Sequence, residues 1–210
     1  LRKKPLISID DAQVYADFAS KTATVKIKIA NKTGESGKGQ ITANDQVFDI
    51  EWTKDGGAAE IKVSFPDAKE WNEFTPNLSK LRLGLTAGKF RDNRDISFGF
   101  ARIAANGNKF QLNGRTIYLR GTHHGGDFPL TGYPPTDVEY WRKLFAINKQ
   151  WGINHVRFHS FCPPKAAFEA ADEIGIYLQP EPGMWNVVSP GTPMEKMLYE
   201  ETERMIKAYG

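Results

Sequence analysis

In the second half of this chain, three short apolar runs each end in side chains that could do chemistry. His123, His124 and Asp127 follow the first run. Arg157, His159 and Ser160 follow the second, and Glu181, Trp185 and Asn186 the third. Carboxylates accept hydrogen bonds from hydroxyl groups, and an imidazole both donates and accepts near neutral pH. An indole presents a flat apolar face that can stack on a ring. These types suit a hydroxylated small molecule, with His124, Asp127, His159, Ser160, Glu181 and Trp185 as the expected contacts. Arg157 fits a supporting role, because a buried guanidinium needs a carboxylate partner. Glu181, stiffened between Pro180 and Pro182, is a candidate for that partner as well as for a contact.

Plainer readings stand beside these. Asp127 could satisfy backbone donors in a turn, His124 could be ordinary surface beside Gly125-Gly126, and Trp185 could simply bury area. Convergence of His123, His124, His159 and Glu181 on a metal is a further alternative. Against it, adjacent residues on a strand point to opposite faces. No metal and no cofactor is expected.

The elements that must position these residues alternate in type after residue 105. Residues 116–119 read as a strand, 123–135 as a Gly/Pro-rich loop, and 137–150 as a helix stopped by Gly152. Residues 154–158 read as the second strand. Pro163 and Pro164 open a second helix with Ala167, Phe168, Ala171 and Ile174 on one stripe, ended by Gly175. Residues 176–179 form the third strand. Thr192, Pro193 and Glu195 then give an N-cap, a first-turn proline and a capping box for a third helix. Trp141, Phe145, Trp151 and Phe168 are expected in the core, and Cys162 as a small buried residue. Strands and helices in strict alternation imply a parallel sheet. A complete (β/α)8 barrel takes ~250 residues, so residues 106–210 are expected to be the first three units of one.

Before residue 105 the period is two. Val25, Ile27 and Ile29 alternate with Lys26 and Lys28, Ile61, Val63 and Phe65 with Lys62 and Ser64, and Leu81, Leu83 and Leu85 continue the pattern. Turn signals separate these runs, so residues 1–105 are expected to form an antiparallel immunoglobulin-like β-sandwich.

Bulk properties exclude other classes. The 28 Lys/Arg and 25 Asp/Glu are interleaved, leaving a net charge of +3 with no basic stripe of the kind nucleic acid requires. No apolar run approaches the ~18 residues that span a membrane. Cys162 is the sole cysteine, so there is no internal disulfide framework and no cysteine zinc site. The start, Leu1-Arg2-Lys3-Lys4-Pro5, is neither an initiator methionine nor a secretion signal, and the chain is expected to begin inside a longer protein.

Five segments, in order, resemble glycoside hydrolase family 2. They are Trp71 and Pro76 followed by the leucines of 81–85, the linker Phe98-Gly99-Phe100-Ala101-Arg102-Ile103, and residues 110–121 as a hairpin and first barrel strand. Residues 151–157 and 170–178 complete the set. The sequence departs from the family pattern in three places: at Ala101, at His124-Gly125-Gly126-Asp127, and at His159-Ser160-Phe161-Cys162-Pro163. The resemblance implies a retaining hydrolase of β-glycosidic bonds, a carbohydrate substrate, and a site built at the C-terminal ends of the barrel strands. Its two catalytic glutamates follow the fourth and seventh strands, so both are expected beyond Gly210 and none within this chain. The chain alone is then expected to be inactive, with its open barrel edges favouring self-association. Periplasmic or secreted placement is expected, with the cytoplasm left open. The alternatives are a non-catalytic carbohydrate-binding or spacer module, and a metal-dependent barrel hydrolase.

Overall fold

The computed structural model describes residues 4–185 and 187–209, so Asn186 lies outside the described residues. The chain divides into two compact units, residues 1–70 with 77–102, and residues 71–76 with 103–210. Among the described residues no helix is long and apolar enough to cross a membrane.

The first unit contains β1 (Ile7–Asp17), β2 (Thr22–Asn31), β3 (Gly37–Ala43), β4 (Gln46–Trp52), β5 (Gly57–Ser64), β6 (Leu78–Ala87) and β7 (Phe90–Gly99). They form two antiparallel sheets, in the orders β1-β2-β5 and β4-β3-β6-β7. The two-residue period decides which side chains meet. Val25, Ile27 and Ile29 of β2, Ile61 and Val63 of β5, and Leu81, Leu83 and Leu85 of β6 share one core with Ile41 and Ile50. The intervening Lys26, Lys28 and Lys62 are exposed. Two sheets closed over one core make a β-sandwich. A bulge at Asp10 shifts the β1 register. Beside it, the Ile9 N–H donates to the Asp92 carboxylate of β7 at 2.9 Å, which ties the two sheets together.

The second unit opens with an antiparallel meander of β8 (Ile103–Asn106), β9 (Lys109–Leu112) and β10 (Arg115–Ile117). A parallel sheet follows, β11 (Gly121–His124), β12 (His155–Phe158) and β13 (Tyr177–Gln179). Helix α1 (Val138–Gln150) connects β11 to β12, α2 (Lys165–Ile174) connects β12 to β13, and α3 (Pro193–Tyr209) follows β13. This is an immunoglobulin-like sandwich followed by the opening units of a (β/α)8 barrel.

One strand differs from expectation. The run at 116–119 is not the first parallel strand. Asn113 and Gly114 both have positive φ, 50° and 80°, and form a tight turn that folds Arg115–Ile117 back onto β9. The parallel sheet starts four residues later, at Gly121.

The helices are bounded by chemistry visible in the sequence. The Asp137 carboxylate caps α1 by accepting from the Glu139 N–H at 3.2 Å. Trp141 and Phe145, one turn apart, are fully buried. Trp151 is not in the core: it is the C-cap of α1, past the last helical turn, and 80% exposed. Phe168 is only partly buried and stacks on Tyr209, and Cys162 is half-buried. At α3 the Thr192 hydroxyl accepts from the Glu195 N–H at 3.3 Å. The returning Glu195 carboxylate reaches the Gly191 N–H, one residue before the expected cap.

Residues 71–76 fasten the N-terminal end of β13. The Asn72 carboxamide accepts from the Phe74 and Thr75 N–H groups and bends this segment into a turn. Trp71 Nε1 donates to the Asp172 carbonyl at 2.7 Å. The buried Glu73 carboxylate accepts from the Tyr177 hydroxyl at 2.6 Å. The Lys149 ammonium donates to the Glu73 backbone carbonyl. Burial pushes the Tyr177 hydroxyl pKa up and the Lys149 pKa down. Gly175 closes α2 at φ 82°, and a Cβ there would lie 2.6 Å from the Glu73 carbonyl oxygen. Gly175→Ala is therefore expected to destabilise the second unit by at least ~1–2 kcal/mol from the left-handed backbone alone. The displaced carbonyl adds to that. Urea unfolding followed by tryptophan fluorescence measures the loss.

Candidate functional site

The register of the parallel sheet sorts its side chains into rows. His123, Arg157 and Gln179 are paired in one row, and Thr122, Val156 and Leu178 in the next. His124 pairs with Phe158. In-row residues of a parallel sheet share a face, and successive rows alternate. Val156 and Phe158 are buried with Trp141, Phe145 and the α2 alanines, so their rows face the helices. The row of His123 and Arg157 therefore faces the opposite way, toward the barrel interior.

That face continues beyond the strand ends as a connected group. The His123 and His159 rings lie 5.2 Å apart, and the His159 ring meets Trp185 edge-to-face at 4.6 Å. Arg157 Nε donates to Glu181 Oε1 at 2.6 Å, and the Ser160 N–H donates to Glu181 Oε2 at 2.8 Å. Ser160 has φ 58°, a left-handed conformation unusual for a residue with a Cβ. The Ser160 N–H, and after it the Arg157 guanidinium, hold the Glu181 carboxylate below the ordinary glutamate range. Asp127 is exposed in the loop after β11, its carboxylate and the His123 ring both close to Gly125. Trp185 is 78% exposed.

The structure thus brings His159, Ser160, Glu181, Trp185 and Arg157 together and leaves Asp127 at the rim beside His123. His124 faces elsewhere. Its ring packs among Phe128, Trp141, Phe158 and Phe161, at centroid distances of 5.3–5.9 Å, on the helix side of the sheet. Its Nδ1 accepts from the Gly126 N–H at 3.1 Å, which requires that nitrogen to be unprotonated. Burial holds the His124 pKa below its ordinary value; the Asp127 charge opposes this and His123 adds to it. Strand alternation puts His123, not His124, on the interior face, and the sequence carries that signal once β11 is recognised. The same alternation takes His124 away from His123 and His159. Among the described residues no three His, Cys, Asp or Glu side chains form a group able to hold a metal ion.

Comparison with known proteins adds three findings. Residues 7–100 match the family described as glycosyl hydrolases family 2. The chain is 24% identical over 209 residues to a β-galactosidase of Thermoanaerobacterium thermosulfurigenes, covering 95% of this chain and 29% of that protein. A putative β-glucuronidase of Formosa agariphila is 26% identical over 183 residues, covering 84% of this chain and 21% of that protein. The chain therefore spans less than a third of the length of these relatives. In fold it is similar to a family 2 β-galacturonidase from Eisenbergiella tayi bound to galacturonate, with TM-score 0.85 at 16% identity over 98% of this chain and 39% of that one. It is also similar to a β-glucuronidase of Parabacteroides merdae, with TM-score 0.76 at 20% identity over 98% and 27%.

The half-buried His124 makes a pH prediction. An imidazole whose folded pKa lies below its unfolded value of about 6.5 resists protonation in the fold. Its stabilising contribution is complete above that value and is lost as the pH falls from there toward the folded pKa. Asp172, whose carboxyl burial pushes up to about 6, acts with the opposite sign between pH 7.5 and 5.5, so the histidine contribution is read as a difference between wild type and variant. His124→Phe, which keeps the aromatic packing, is expected to lose less melting temperature, or gain more, than the wild type as the pH falls from 7.5 to 5.5. His155, also lowered by burial, acts with the same sign as His124. Thermal melts across the range measure it.

Proposed function

We propose that this chain, a family 2 glycosyl hydrolase sandwich joined to the opening units of a (β/α)8 barrel, builds one wall of the sugar site of a retaining β-glycosidase. The observation that carries this reading is the polar row at the C-terminal ends of β11–β13, continued by His159 and Trp185. Barrel enzymes place their sites at that end of the strands. Imidazoles and Asp127 suit sugar hydroxyls, and the exposed Trp185 face suits the apolar side of a pyranose. The similar proteins are named β-galactosidase, putative β-glucuronidase, β-glucuronidase and β-galacturonidase, and a β-galactoside or β-linked uronic acid is the substrate class proposed here.

The chemistry of a retaining glycosidase needs two carboxyl groups ~5–5.5 Å apart, one of them able to donate a proton. Glu181 does not fit the proton-donor role. Both of its oxygens accept hydrogen bonds, and its depressed pKa keeps it ionised. The proposal gives this chain the work of binding and orienting the sugar, with the acid/base and nucleophile supplied by residues outside the 210, as the resemblance to the family implies.

The test is a panel of aryl β-galactosides, β-glucuronides and β-galacturonides. The chain is expected to bind a member of the panel without releasing the aryl group. Trp185→Ala is expected to weaken that binding about fivefold, the equivalent of the ~1 kcal/mol typical of an aromatic stacking contact. Turnover abolished by Glu181→Gln would move the chemistry into this chain and contradict the proposal.

A further inference from the structure

We propose that Glu181 is a positioning residue that sets the turn after β12, fixing the His159 ring against Trp185 without touching the sugar itself. The inference rests on the sugar-site reading for its purpose, but its geometry stands on separate observations. Glu181 accepts from two donors on one short stretch, Arg157 Nε at 2.6 Å and the Ser160 N–H at 2.8 Å. Its side chain is only 23% exposed. Between those two donors in sequence lies His159, the residue that meets both His123 and Trp185.

Ser160 explains why such a clamp is needed. A non-glycine residue in the left-handed region carries ~1–2 kcal/mol of backbone strain, and strain of this kind persists only where the surroundings hold it. A hydrogen bond from an N–H to an ionised carboxylate is among the stronger ones available, and here it falls on the strained residue. The preceding residue is anchored from the other side, where the His159 N–H donates to the His124 carbonyl at 3.0 Å. The turn is thus held by β11 on one flank and by Glu181, beyond β13, on the other. Pro180 and Pro182 limit the backbone freedom of the carboxylate's own segment. Arg157 keeps the carboxylate oriented and ionised.

Two substitutions in the full 210-residue chain test the role. Glu181→Gln leaves one acceptor oxygen for two donors. Glu181→Asp keeps the charge but is one methylene too short to reach both. The readout is the NMR signal of the His159 ring protons, which sit in the ring current of Trp185. Trp185→Ala supplies the reference position for a His159 ring free of the indole. In both Glu181 variants the His159 signals are expected to move toward that reference, while the Val156 methyl signals of the helix-side core stay in place. Unmoved His159 signals in either folded variant would overturn the proposal. Loss of the fold in both would assign Glu181 to stability alone and would overturn it equally. Titration of the wild type with the glycoside panel separates this outcome from the reading it rests on. If His159 moves in the variants but the wild type binds no sugar, the positioning role stands and the sugar reading fails.

Discussion

The second unit depends on the register of three short parallel strands, in which Arg157 pairs with His123 on one side and with Gln179 on the other. Because side chains alternate with a period of two, this register sends Val156 and Phe158 into the helix layer and the polar row to the other face. A slip of one residue would bury Arg157 against Trp141 and Phe145 and expose Phe158. The apolar helix-side core thus fixes the composition of the opposite face. Burying one side determines which side chains the other side has available for chemistry.

The shortest of these strands is secured at both ends by a carboxylate. Tyr177 begins β13 and donates to the buried Glu73, while Glu181, two residues past its end, accepts from Arg157 and Ser160. A three-residue strand makes few ladder bonds, so its placement rests on these anchors and on the packing of Ile176 and Leu178 into the helix-side core. The two carboxylates differ in their surroundings. Glu73 is almost fully enclosed and meets a neutral hydroxyl, whereas Glu181 meets a guanidinium and a backbone amide at the edge of solvent. The first suits a purely structural tie and the second a tie that also shapes an accessible surface.

Much of this was legible in the sequence. Alternation in β2, β5 and β6 gave the sandwich, and the apolar periodicity ended by Gly152 and Gly175 gave α1 and α2, because these patterns report burial directly. The Arg157–Glu181 pair was one of two roles open for Glu181, and the guanidinium is half-buried rather than buried, with 43% of its side chain exposed. The first parallel strand was misplaced because residues 116–119 and 121–124 are both plausible strands. Only the consequence of the Asn113-Gly114 turn, pairing Arg115–Ile117 with β9, separates them. That displacement carried over to the histidines: with β11 starting at Gly121, alternation turns His124 inward and His123 toward the site. Trp151 was misassigned because helical spacing extends on paper past the point where the backbone leaves the helix. The role of Glu73 in the second unit was not legible, since it joins residues more than a hundred positions apart.

The most direct measurement is a chemical-shift map of the full chain titrated with galactose, galacturonate and glucuronate. If the polar row is the wall of a sugar site, the perturbations concentrate at His123, His159, Ser160 and the Trp185 indole, and leave His124 and the sandwich unchanged. Perturbations confined to the sandwich strands, with His159 and Trp185 unmoved, would contradict the assignment and make the first unit the carbohydrate-binding part.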